Sequence, residues 1–117
     1  MKTMNYVKYA HQAEWTPHPA GLEGVAMKKL RTRDEGEYRE SVAIVRVDAG
    51  AAVPPHVHEQ ADDNLYILSG KARMRVDREE FAVAPGAQIT VPAGIEHEIF
   101  AVSETLEIYD VFAPPLF

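Results

Sequence analysis

The sequence predicts an all-β domain whose antiparallel strands close into a sandwich or barrel. Three observations lead there. No window of a dozen residues carries an i, i+3, i+4, i+7 apolar stripe free of Pro and Gly, so nothing asks for a helix. Short runs rich in β-branched and aromatic residues recur instead. The breaks between them hold Gly, Pro, Ser and Asp, the residues that turn a chain sharply.

Taken in order, residues 1–40 are an N-terminal strand and arm of the same domain, and residues 41–117 form the barrel. One early strand is expected near 25–30, followed by a solvated charged loop over 31–40. Further strands are expected at 41–47, 64–68, 72–76, 80–83, 88–91, 96–102 and 105–112. Gly50, Pro54-Pro55, Ser69-Gly70, Asp77-Arg78, Pro85-Gly86 and residues 92–94 separate them. In Ala72-Arg73-Met74-Arg75-Val76 the apolar members point one way and both arginines the other, the alternation of a half-buried antiparallel strand.

Composition bounds the chemistry. A chain of 117 residues is one domain's worth, with 46% hydrophobic and 26% charged residues. It has no cysteine, which excludes disulfides, a thiolate nucleophile and Cys-ligated zinc. The formal charge of −6 offers little to nucleic acid, whose binding is driven by counterion release. Residues 1–15 lack the apolar run of a secretory signal, and no stretch approaches the roughly 18 apolar residues of a membrane span. The expectation is a soluble, cytoplasmic protein with neither nucleic acid nor membrane as partner.

The histidines carry the chemical signal. His56 and His58 stand two apart in Pro-Pro-His-Val-His, so on an extended chain both imidazoles point the same way. His97 shares a strand face with Ile95 and Ile99, while Glu96 and Glu98 point outward. These residues either hydrogen-bond within the barrel or hold an ion. Three that can converge, with carboxylates nearby, favour the ion. Three neutral imidazoles and a carboxylate suit Zn, Mn, Fe, Ni or Co, with a coordination position left open for water or substrate. His11 and His18, in the irregular N-terminal segment, are expected to be solvent-exposed.

The spacing is more specific. Gly50, His56, His58, Asp63 and Gly70 read G-x5-H-x-H-x4-D-x6-G. Gly86, Pro92, Gly94 and His97 read G-x5-P-x-G-x2-H. In this pair of motifs the chain, over residues 41–112, resembles the cupin family. The resemblance implies an antiparallel jelly-roll β-barrel around a divalent transition metal, with His56, His58 and His97 at the family's three histidine ligands. Asp63 stands where most members carry Glu. It is one methylene shorter, so it would meet the ion directly or through water. Ala101 stands where the second motif often ends in Asn.

The C-terminal strand adds a second feature. By period two, Leu106, Ile108, Asp110 and Phe112 share a face. If that face is inward, Asp110 is a carboxyl in an apolar interior and a candidate catalytic acid or base; otherwise it is solvated at the barrel mouth. The tail also looks like that of small cupins acting on unsaturated uronic acids, with Asp110, Phe112 and Pro114 in matching positions. Leu116 occupies the place of their arginine. Tyr66, Asn64 and Leu68 share the face opposite Asp63, Leu65 and Ile67, and covering an apolar outer face is a physical reason to pair; small cupins often do, so a homodimer is expected. Three functions stand open at this stage: a metal-dependent lyase or isomerase on a small sugar acid or polar carbonyl compound, an Fe(II)-dependent dioxygenase, and a non-catalytic binder of a small molecule.

Overall fold

The computed structural model describes residues 5–36 and 38–117. Residues 1–4, part of the segment read against a secretory signal, and Glu37 of the charged loop lie outside the described residues. The described residues form eight strands: β1 (Thr16–Pro17), β2 (Val25–Arg31), β3 (Ser41–Val47), β4 (Val53–His56), β5 (Asp62–Val76), β6 (Glu79–Val83), β7 (Gln88–Val91) and β8 (His97–Ala113). Single 3₁₀ turns at Ala10–Gln12 and Arg33–Glu35 are the helical elements among the described residues. Among the described residues, no helix is long and apolar enough to cross a membrane.

All pairings are antiparallel, in the order β1-β2-β3-β8-β5-β6, with β4 added to β8 and β7 to β5. The architecture is an antiparallel jelly roll. Its two long strands exchange partners along their length. The first half of β8 pairs with β4 and its second half with β3, while β5 borders it throughout. β5 in turn pairs with β7 through Asp63–Tyr66 and with β6 through Ala72–Val76.

These long strands correct two breaks expected from the sequence. Ser69-Gly70 does not end a strand; the β5–β8 register shifts there and β5 bends through it. Gly70 has φ of +94°, and a Cβ at that position would lie 2.2 Å from the Thr105 carbonyl oxygen. Only glycine lets β8 approach so closely. Likewise 96–102 and 105–112 are one strand, continuous through Ser103 and Glu104, with Ala101 at φ +49°. The turn at Asp77-Arg78 is as expected: Val76 pairs with Glu79, and Asp77 takes the positive φ that a two-residue hairpin requires.

The alternation sets the core. Ala43, Val47, Ile67, Met74, Leu106 and Ile108 are fully buried. Ile67 and Ile108 stand opposite each other across β5–β8, each worth about 1.5–3 kcal/mol when withdrawn from water. β2 joins the same core through Val25 and Met27. On the outside, Tyr66 pairs with Tyr109, and both remain more than 40% exposed. The inward parity of Leu106, Ile108, Asp110 and Phe112 is realised, so a carboxyl does face the interior.

Candidate metal centre and its cavity

β4 and β8 bring the first two imidazoles together. His56 pairs directly with His97, and the ring centroids lie 4.1 Å apart. His58 falls just beyond the end of β4, in a segment fastened by the Gly94 N–H donating to the His58 carbonyl at 2.9 Å. Asp62, pointing away from the barrel, accepts from the Ala93 N–H at 2.9 Å. The turn around Pro92 and Gly94 therefore pins the first histidine motif to the second. One nitrogen of each of His56, His58 and His97 lies within 4.8 Å of the other two.

The ring orientations suit a cation. His56 Nδ1 lies 2.8 Å from the Pro54 carbonyl oxygen, and His97 Nδ1 lies 3.0 Å from that of Ile95. A carbonyl can only accept, so each Nδ1 carries the proton and each Nε2 keeps its lone pair. Among the described residues, His97 Nε2 is buried without a hydrogen-bond partner, as are Asp63 Oδ1 and Asp110 Oδ1. Orphaned buried atoms of this kind are costly unless a group from outside the chain satisfies them. The donor set, neutral nitrogens beside carboxylate oxygen, fits a divalent transition ion. Burial lowers the pKa of His56 and of His58, keeping both neutral and able to ligate.

Asp63 sits beside this cluster but outside the mutually close set. Its Oδ2 is 3.5 Å from His97 Nε2 and 3.8 Å from His58 Nε2. Asp110 joins it from β8, one diagonal step across the β5–β8 ladder, where Leu65 opposes Asp110 and Asp63 opposes Phe112. Burial pushes the Asp110 carboxyl well above the usual carboxylate range, and a hydrogen bond with Asp63 and that residue's negative charge push it the same way.

The histidines and both aspartates line a cavity of about 330 Å³. Most of its wall is apolar: Met27, Val45, Val53, Leu65, Ile99, Ile108, Phe112, Leu116 and Phe117 contribute. Phe112 packs edge-on against His58, and Phe117 against Phe112. The tail is held across the opening by the Leu116 N–H donating to Ser41 Oγ and the Arg33 N–H donating to the Phe117 carbonyl. Among the described residues, no lysine or arginine lines the cavity. Arg46 instead lies over the Trp15 ring, and Arg75 pairs with Glu96 and Glu98.

One sequence expectation is overturned here. His18 is not a solvated side chain; it is partly buried and lines the cavity with Pro19 and Ala20. Its segment has no periodicity to read. Its position comes from the β1–β2 pairing, where Thr16 opposes Met27 and Pro17 opposes Ala26, which folds the intervening loop over the barrel mouth. The Asp63–Asp110 contact was equally unreadable, because it depends on the β5–β8 register.

Residues 43–112 match the family model described as the cupin domain. The chain belongs to the cupin family. This cupin is 34% identical over 96 residues to an uncharacterized protein of Streptomyces coelicolor, across 82% of this chain and 86% of that one. It is 29% identical over 73 residues to quercetin 2,3-dioxygenase of Bacillus subtilis, a match covering 62% of this cupin and 21% of the dioxygenase. Its fold is similar to the solved structure of KdgF from Halomonas sp., with a TM-score of 0.77, 23% identity, and 91% and 90% of the two chains covered. At that identity the likeness is one of fold. Leu116, which the resemblance sets at the arginine position of the uronate-processing cupins, lines the cavity with an apolar side chain.

Proposed function

We propose that this cupin is a metal-dependent lyase or isomerase acting on a small, uncharged carbonyl compound with an apolar body. The observation that carries this reading is the cavity itself. Imidazole nitrogens with free lone pairs and a raised-pKa carboxyl share a largely apolar wall to which, among the described residues, no lysine or arginine contributes. A sugar acid would bring a negative charge to a wall with no lysine or arginine among its described residues to anchor it. A neutral carbonyl compound brings none.

His56, His58 and His97 would hold the ion, with Asp63 beside them as a direct or water-bridged ligand. A bound divalent ion supplies Lewis-acid polarisation of a substrate oxygen. Asp110 does the proton work. Its pKa, raised well above the usual carboxylate range, makes it a better base when ionised and leaves it a proton to give when not. Phe112 and Phe117 keep water from the reacting end and pack the substrate's apolar portion.

The test is hydrogen–deuterium exchange at the carbon next to the carbonyl in small neutral ketones and diketones, followed by NMR in D2O with metal-loaded protein. Exchange is expected in the native protein and lost in Asp110→Asn and in His97→Ala. A second reading, an Fe(II)-dependent dioxygenase, is favoured by the similarity to quercetin 2,3-dioxygenase. It requires oxygen uptake by the iron-loaded protein and no product under argon. Ligand binding with neither exchange nor oxygen uptake would leave a non-catalytic binder.

A further inference from the structure

His18 belongs to neither cupin motif, yet it sits on the cavity wall. Three hydrogen bonds fix the loop that carries it. The His18 N–H donates to the Val25 carbonyl at 3.2 Å, closing the loop onto the start of β2. The Gly21 N–H donates to the His18 carbonyl at 2.8 Å, with Gly21 at φ +68°. The Ala20 N–H points at His18 Nδ1 at 3.1 Å.

The last of these decides the tautomer. A backbone N–H can only donate, so Nδ1 must accept and cannot carry a proton. The neutral ring then carries its hydrogen on Nε2. Nδ1 is turned back onto its own loop, which leaves the Nε2 edge of the ring for the cavity. Among the described residues no protein group accepts that hydrogen. Burial lowers the His18 pKa, which keeps the ring in this neutral, donating form at pH 7. The surrounding mouth is otherwise apolar, formed by Pro19, Ala20, Leu116 and Phe117.

We infer that His18 is a specificity-determining residue: its Nε2–H is the hydrogen-bond donor that selects ligands carrying an uncharged acceptor oxygen, a carbonyl or ether, at the mouth end of an apolar body. The inference rests on the cavity being a ligand site, as proposed above, and is independent of whether the histidine cluster holds a metal. It narrows the substrate class to neutral compounds with oxygen functions at both ends. One oxygen is bound at the deep end, near His56, His58 and His97, and the other at His18. An apolar ligand lacking the second oxygen would leave this donor unpaired.

The probes are acetophenone and ethylbenzene, which match in shape and differ in the acceptor oxygen. Their binding to the full chain is measured by NMR titration in the native protein and in His18→Gln and His18→Phe. Glutamine retains an N–H donor, whereas phenylalanine keeps the ring and loses it. The acetophenone-over-ethylbenzene preference is expected to be roughly five- to tenfold larger in the native protein and His18→Gln than in His18→Phe, the worth of one neutral hydrogen bond. An equal preference in native protein and His18→Phe overturns the inference, and so does failure of both probes to bind. Nitrogen-15 shifts of the His18 ring provide a second reading that needs no ligand. The neutral Nε2–H tautomer is expected at pH 7.5, and the Nδ1–H tautomer or the imidazolium overturns the inference. Zinc content, measured on the same samples, tests the metal reading separately.

Discussion

His56 and His97 stand directly opposite each other across the β4–β8 pairing, with their Nδ1 atoms turned to the carbonyls of Pro54 and Ile95. Each carbonyl belongs to the residue two positions earlier on the same chain, so each ring is aimed by its own strand. The geometry presents two lone pairs inward before any ion arrives, which is how outer-sphere hydrogen bonds preorganise a metal site.

The pH dependence of the metal-free protein follows from the lowered pKa of His56 and His58. In the folded state these rings bind fewer protons than in the unfolded chain, where the value is near 6.5. Stability is therefore expected to be unaffected by these groups above about pH 6.5 and to fall as pH drops below it. Metal affinity should fall over the same range, since imidazolium cannot ligate. Melting temperatures of chelator-treated protein against pH check the first, with a shallower acid slope expected in a His56→Gln, His58→Gln double variant.

Asp110 has the opposite sign. Its raised pKa means that the folded state holds a proton which the unfolded chain gives up near pH 4, so its contribution to stability is lost as pH rises above that point. Asp110→Asn mimics the protonated form and can donate to Asp63. It should stabilise the metal-free protein by about 1–3 kcal/mol at pH 8, with little effect near pH 4, while abolishing proton exchange. Thermal unfolding at the two pH values tests this; destabilisation at pH 8 would contradict it.

Gly70→Ala tests the bend in β5. The new Cβ meets the Thr105 carbonyl and forces a non-glycine residue to φ +94°. The expected cost is about 2–5 kcal/mol, from left-handed strain and overpacking together. Urea unfolding measures it.

Leu116→Arg tests the charge preference of the cavity. Introducing a cation on the wall should reverse the preference between acetophenone and benzoate, so that the variant binds the anion and the native protein the neutral compound. If the native protein already prefers benzoate, the uncharged-substrate reading fails.

Much of this was legible from residue pattern alone. Period two placed Leu106, Ile108, Asp110 and Phe112 on one face, which the fold turns inward, and the two-residue spacing brought His56 and His58 together even though His58 lies beyond the strand end. What escaped depends on pairing. Ser69-Gly70 looks like a chain break until β8 is laid against it, when the glycine becomes the place where Thr105 approaches. Asp63 and Asp110 meet only in the observed β5–β8 register. His18 reaches the cavity only because β1 pairs with β2. Local sequence carries strand faces and turns, whereas contacts between distant segments are set by packing.

The central claim is that His56, His58 and His97 hold a divalent transition ion. Elemental analysis after anaerobic purification tests it most directly, with zinc, manganese, iron, nickel and cobalt measured in the native protein and in folded His56→Ala and His97→Ala. About one ion per chain is expected in the native protein, with affinity reduced by more than about 100-fold in each variant. A native protein that carries no ion and takes up none on reconstitution would contradict the account.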